Sequence, residues 1–286
     1  MKEAIFKIGA RLAMLVVLTL AGGLLSATLV RFSPGYGVDE RELDPRLSRA
    51  SVEAVRNSRR VESGLLPYYR NYLVKALHGD FGKSQWLDRP VGALIRERLP
   101  VTARSVVGGM FIAWLATLVV AFAAMFFRGF LFDVSTTAAS GLLVALPTGV
   151  VAMLAVYARA PAFLAISVVI FPKLFRYFRN LLEHAYAQPY ILAARTRGIS
   201  NARIVFLHVV PLISPALFAL FGVSLSMAFG AAIPIEALSD SPGVGQLAWQ
   251  AALNRDLPLI VNLTLLVTLF TVVVNSVASL APEMGR

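Results

Sequence analysis

No cysteine occurs among the 286 residues, which excludes disulfides, thiolate metal sites and cysteine nucleophiles. Histidine is nearly as scarce: His78, His184 and His208 lie far apart and give a metalloenzyme little to build on. No Gly-x-x-x-x-Gly-Lys-Ser/Thr segment exists, so the chain holds no nucleotide through a phosphate-binding loop. Repeats of 20–50 residues and low-complexity runs are also missing. Charged residues make up only 15%, against about 25% in soluble globular proteins.

What is present is apolar. Hydrophobic residues reach 57%, above the roughly 45–50% of soluble domains, and both departures point to a bilayer. The net charge of +11 does not suggest nucleic acid, because the cations gather at the ends of apolar runs and in one hydrophilic segment, the pattern of membrane orientation.

The uncharged stretch Leu12–Val30 has 19 residues, longer than a signal-peptide core of ~7–15 residues, and Ser26-Ala27-Thr28 is a poor cleavage site. It reads as a first transmembrane helix. Ser105–Phe127, Val134–Ala158 and Leu257–Pro282 are uncharged and each long enough to span. Ile204–Ile235 exceeds one perpendicular span, so its first part is expected at an interface and a fifth span near Val209–Leu238. A fourth span is placed after Pro161, kinked at Pro172, with Lys173, Arg176 and Arg179 snorkelling or beyond the core. The expected fold class is an all-α integral membrane protein of about six transmembrane helices. With the N-terminus inside, 11 Lys/Arg fall on the cytoplasmic side, while the short outer connections hold Arg159 and Arg255, with Arg104 at a span edge. The positive-inside rule therefore puts both termini in the cytoplasm.

Three regions follow: residues 1–30 as N-terminal tail and first span, 31–100 as an extracytoplasmic region, and 101–286 as a five-helix transmembrane domain. In the second, Asp44–Arg60 has helix-like composition, Gly79-Asp80-Phe81-Gly82 and Arg89-Pro90 are turn signals, and Val91–Leu99 is a short amphipathic helix expected at the membrane surface.

The connection from about Leu181 to Val210 is too long for a bare turn. Tyr190-Ile-Leu-Ala-Ala-Arg-Thr-Arg-Gly198 reads as a short helix with a small face at Ala193 and Ala194, closed by Gly198. Ser200 can cap a second helix through Arg203 and His208. Such an elbow suits docking, although a surface helix with an ordinary glycine stop has the same features.

Tyr190 through Gly198 resembles the ATPase-docking loop, or EAA loop, of the integral-membrane subunits of bacterial ABC importers. More narrowly it is similar to the dipeptide/oligopeptide permease branch, with Tyr190, Ala194, Arg195, Arg197, Gly198 and His208 at the matching places. The resemblance continues through Gly79-Asp80-Phe81-Gly82-Lys83-Ser84, Arg89-Pro90-Val91, Arg98-Leu99-Pro100-Val101-Thr102, Ile235 to Leu247 with Pro242-Gly243-Val244-Gly245, and Leu253-Asn254-Arg255-Asp256. Three features depart from it: Pro189 stands where an acidic residue is usual, the run from His208 to Pro215 is about one residue short, and the outer connection at Arg159–Pro161 is far shorter than usual.

The resemblance implies a type I importer permease fold in a bacterial inner membrane. It also implies a non-catalytic subunit paired with a second permease, two ATP-binding-cassette ATPases that bind the ATP and Mg, and an extracytoplasmic substrate-binding protein. Peptides are the usual cargo of this branch, while nickel and small glycosides are carried by close relatives. Docking residues would be Tyr190, Ala193, Ala194, Arg195, Arg197, Gly198, Ile199, Arg203 and His208; outer-face contacts would be Asp80, Glu236, Pro242, Gly243, Gly245, Asn254, Arg255 and Asp256. No cofactor, metal or nucleic acid is expected on the chain itself; besides its protein partners it meets membrane lipid.

Each outer residue also has a plainer reading. Pro242–Gly245 can simply turn the chain, Arg255-Asp256 can be an exposed ion pair, and Glu236 at the end of span five can be structural. An ATP-independent transporter or channel is the competing class; it needs ionisable residues deep in the spans, and the interiors of spans one, two, three, five and six have none. An intramembrane enzyme fares worse, since no Ser/His/Asp constellation has recognisable spacing.

Overall fold

The computed structural model describes residues 2–32, 65–126 and 130–284. Helices dominate these residues: α1 (Lys2–Arg31), α2 (Leu65–Leu77), α3 (Val91–Phe126), α4 (Phe130–Ala145), α5 (Thr148–Tyr157), α6 (Ala162–Tyr186), α7 (Pro189–Thr196), α8 (Asn201–Ile204), α9 (Val210–Leu238), α10 (Val244–Leu253) and α11 (Leu257–Met284). A π-helical turn, Val205–Val209, joins α8 to α9. The segment Asp44–Arg60, expected to be helical, lies outside the described residues.

Three helical stretches are long and apolar enough to cross a membrane: Val91–Ala124, Val205–Leu238 and Leu257–Ala278. A fourth is broken. Val134–Ala145 and Thr148–Tyr157 meet at 93°, so the uninterrupted span expected over Val134–Ala158 is two helices. Pro147 causes the break, because it supplies no N–H and holds the extended backbone (φ −60°, ψ 140°) that precedes α5.

The chain divides into two compact units. The first comprises residues 1–98 and 247–269. Its core joins Ala27 of α1, Tyr69 and Tyr72 of α2, and Leu257 and Val261 of α11. Gly23 makes the approach of α1 possible, since a Cβ there would lie 2.6 Å from Leu265 Cδ2. Both buried phenols are satisfied: Tyr69 donates to Leu20 O and Tyr72 to Asn262 Oδ1, each at 2.7 Å. Burial pushes both tyrosine pKa values up, Tyr72's further with Tyr69 beside it.

The second unit comprises residues 99–246 and 270–286. Helices α6 and α9 pack together at its centre. Ile166, Ile170, Leu174 and Phe175 line the buried face of α6, and Ile213, Leu220, Ala228 and Phe229 that of α9. The helical periodicity of α6 explains why it is not among the uniformly apolar stretches: Arg176 and Tyr177 are exposed while Phe175 and Phe178 are buried. It runs on through Pro172, which the sequence reading takes as a kink.

A surface helix over Val91–Leu99 is not observed either. Those residues are the first turns of α3, which continues through Pro100 without interruption. Val91 and Leu94 are buried there, and Leu99 is exposed. Pro100 stands ten residues into the helix, where its missing N–H leaves Arg96 O without the usual intrahelical donor, and the helix still runs on past it.

Candidate docking elbow and outer-face carboxylates

The segment 189–209 folds as a helix, a tight turn and a second helix. Pro189 opens α7, where its missing N–H is not needed. Ile191 and Ala194 face inward, the first completely buried, whereas Tyr190, Ala193 and Arg197 are exposed. The small face expected at Ala193 and Ala194 is therefore split. Three or four residues separate like-facing positions on a helix, so Ala194 follows Ile191 into the interior. Arg195 lies in α7 with its side chain outside the described residues.

The turn is a Schellman closure. Ile199 N–H donates to Ala194 O at 3.3 Å around Gly198, whose φ of +74° is left-handed. Nothing lies within 4 Å of where a Gly198 side chain would begin, so the turn stands open. Ile204 N–H then donates to Ser200 O at 3.0 Å, starting the second helix. Arg203 is exposed, Ile199 and His208 are half-buried, and Ile204, Val205 and Val209 are buried. The helix runs on through the π-turn into α9, so the elbow is the direct extension of a long apolar helix.

The proposed outer-face residues fall into two buried constellations and an exposed remainder. In the second unit Glu236 is fully buried. Its Oε2 accepts from Thr102 Oγ1 at 2.9 Å and from Gly245 N–H at 2.8 Å, while Thr102 Oγ1 accepts Val244 N–H at 2.8 Å. Gly243 lies against the carboxylate, and a Cβ on it would collide with Glu236. A Cβ on Gly245 would lie 2.6 Å from Ile233 Cα. The Pro242–Gly245 turn is thus tied to α9 and α3 by one carboxylate, the structural reading of Glu236.

In the first unit Asp256 is also fully buried. Its Oδ2 accepts from Ser84 Oγ and, at 3.1 Å, from Trp86 N–H; its Oδ1 accepts from Leu259 N–H at 3.2 Å. Asp256 caps α11 and fastens the loop 79–90 to it. Asp256 is therefore not the exposed half of a surface ion pair, as one reading of Arg255-Asp256 has it, because it is buried with three donors inside the fold. Asp80, Pro242, Asn254 and Arg255 are exposed. Asp80 accepts Gly82 N–H at 2.9 Å, closing the turn expected there.

Thr102 and Ser84 were not singled out by sequence reading, although both stand in segments that carry the resemblance. A small hydroxyl beside an apolar run was the available signal. Among the described residues no group of three or more His, Asp or Glu is placed to hold a metal.

Residues 109–283 match the family described as binding-protein-dependent transport system inner membrane component. The chain belongs to that family. It is a multi-pass bacterial inner-membrane protein and the permease component of an ABC importer. A Brucella suis protein bearing the name peptide permease is 25% identical over 94% of this chain and 93% of its own. The Escherichia coli oligopeptide transport system permease protein OppB is 26% identical over 85% of each chain. The Staphylococcus aureus nickel import system permease protein NikB is 25% identical over 94% of this chain and 87% of its own. The family match covers α6 to α10 completely, and with them the elbow and the Glu236 turn.

Proposed function

We propose that this permease carries peptides, pairs with a second homologous permease, and takes its driving force from two ATPase subunits that enter no covalent chemistry with it. Peptides are the cargo named for the Brucella suis and Escherichia coli relatives. In this reading the chain crosses the membrane six times with both termini inside, residues 31–100 lie outside, and residues 101–286 form the transmembrane domain. The chain catalyses no reaction; ATP and Mg belong to the partner ATPases.

The observation that carries this reading is the elbow. An exposed helix face bearing Tyr190, Ala193 and Arg197 ends at a left-handed Gly198 and continues rigidly into α9. A partner gripping α7 therefore pulls on a transmembrane helix with little slack between. Arg197 and Arg203, both exposed, add a cationic surface for an ATPase cleft, with Ile199 and His208 half-buried in the same elbow, and Arg195 is assigned to the docking segment by its place in the sequence alone. Ala194 acts from inside, as packing beneath the docking face. The outer-face residues Asp80, Pro242, Asn254 and Arg255 are the accessible contacts for a substrate-binding protein, while Glu236, Gly243, Gly245 and Asp256 hold those loops in shape.

Purification from native membranes in mild detergent tests this. Recovery of a second permease and phosphate-loop ATPases, with coupled ATP hydrolysis lost in Gly198→Asp while the complex stays assembled, is the expected result. Recovery of the chain alone with transport intact would sink the reading.

A further inference from the structure

Helix α5 is out of place in a bundle of spans. Its ten residues, Thr148–Tyr157, carry no charge and rise only about 15 Å, half of the ~30 Å hydrocarbon core. It stands at 93° to α4. Its N-terminal end sits by the end of α9: Leu238, the last residue of that helix, is the nearest neighbour a Gly149 side chain would meet. One side of α5 packs into the unit through Val151 and Ala152, which are buried. The other side presents Val150, Met153, Leu154 and Tyr157, spaced three and four residues apart, and Tyr157 is 91% exposed. Facing water, these side chains would form a contiguous apolar patch with no compensating contact.

We propose that α5 lies in the plane of the outer leaflet, with Val150, Met153 and Leu154 among lipid acyl chains. Tyr157 sits at the headgroup level, and the Arg159 side chain reaches the lipid phosphates. Three observations favour lipid as the occupant. The right-angle turn from an apolar helix lays α5 parallel to the membrane surface. The apolar face ends in an aromatic residue followed by a cation, the arrangement that anchors segments at a membrane interface. The preceding helix α4 also exposes large apolar side chains, at Val134 and Leu142, so α5 is not the one element of this stretch whose apolar surface lacks a protein cover. The placement on the outer side rests on the six-span, N-inside reading above; the contact with lipid does not.

The natural absence of cysteine makes the test direct. The full chain, with a single cysteine at Val150, Met153, Leu154 or Tyr157, is spin-labelled in vesicles of phosphatidylethanolamine and phosphatidylglycerol. Collision rates with oxygen and with a water-soluble nickel chelate are then compared. The expected result is several-fold preference for oxygen at positions 153 and 154, falling toward 157. Preference for the nickel chelate at all four would overturn the proposal, as would immobile labels reached by neither reagent, which would show a second copy covering the face. Tyr157 is so exposed that its variant keeps the fold if the others do not. Ala158→Cys, treated with a membrane-impermeant maleimide in right-side-out and inverted vesicles, reports the side separately. Reaction only in inverted vesicles, with the oxygen preference retained, would overturn the six-span orientation and leave the lipid contact standing.

Discussion

Thr102 and Glu236, 134 residues apart, meet inside the second unit at 2.9 Å, and the same threonine oxygen accepts Val244 N–H at 2.8 Å. Two hydrogen bonds through one hydroxyl thus join the start of a long apolar helix, the end of another and the turn between α9 and α10. Thr102→Val keeps the shape and leaves Val244 N–H without its acceptor, a cost of about 1–3 kcal/mol. Glu236→Ala strands both Thr102 and Gly245 N–H and is expected to cost more, whereas Glu236→Gln keeps an acceptor and costs least. Thermal loss of monodispersity in detergent ranks the three; equal losses would show that the hydrogen bonds are not the reason.

The glycines of that turn are expected to differ from glycines elsewhere. A Cβ at Gly245 meets the backbone of Ile233, and one at Gly243 meets the Glu236 carboxylate; Gly230 has nothing within 4 Å. Gly245→Ala should be destabilised most, because backbone does not rotate away. Gly230→Ala should gain up to about 1 kcal/mol, since alanine is the better helix former. The same melting assay decides, and a tolerant Gly245→Ala would contradict the packing described.

Gly198 separates conformation from docking. At φ +74° a non-glycine residue is strained by about 1–2 kcal/mol, less for asparagine. Gly198→Asn should retain expression and lose little elbow order, while Gly198→Val should lose protection there in hydrogen exchange of the assembled complex. Equal protection in both would argue against the left-handed turn.

Asp256 should behave as a staple. Asp256→Ala leaves Ser84 Oγ and the Trp86 and Leu259 N–H groups without their shared acceptor, each worth about 1–3 kcal/mol if left buried and unpaired. Limited proteolysis between Gly79 and Arg89 should then be faster than in the wild-type chain. Ser84→Ala should produce the same effect more weakly.

The Tyr69–Tyr72 pair sets an alkaline limit. Both phenols have raised pKa values in the fold, so the neutral form is favoured there. The stability this gives is complete below the unfolded tyrosine pKa of about 10 and is lost as pH rises through the folded values. Ultraviolet titration should show Tyr69 and Tyr72 ionising late, with one late tyrosine fewer in Tyr72→Phe than in the wild-type chain. That variant also loses a hydrogen bond to Asn262, at about 0.5–1.5 kcal/mol.

The elbow was readable because its signals are local. A glycine after a short helix, a serine able to cap two residues on, and arginines at 197 and 203 follow from neighbours in the chain, and Gly198 has the left-handed φ that its place demanded. The inward turn of Ala194 was not readable, since which side of α7 is covered depends on what packs against Ile191. Val134–Ala158 misled for a related reason: composition measures apolarity, not direction, and both halves of a right-angled pair are apolar. Pro147 was the signal for the break, while Pro100 and Pro172, similar in sequence, interrupt nothing.

Chain chemistry alone determined that this is a helical membrane protein of the importer-permease kind, because long uncharged runs must satisfy their backbone within themselves in lipid and the docking segment is contiguous. Tertiary structure decided what the carboxylates do. Glu236 and Asp256 each find a hydroxyl donor more than a hundred residues away, and no local rule pairs Thr102 with one or Ser84 with the other. A buried carboxyl group is tolerated only where donors converge on it, and convergence is a property of the folded chain.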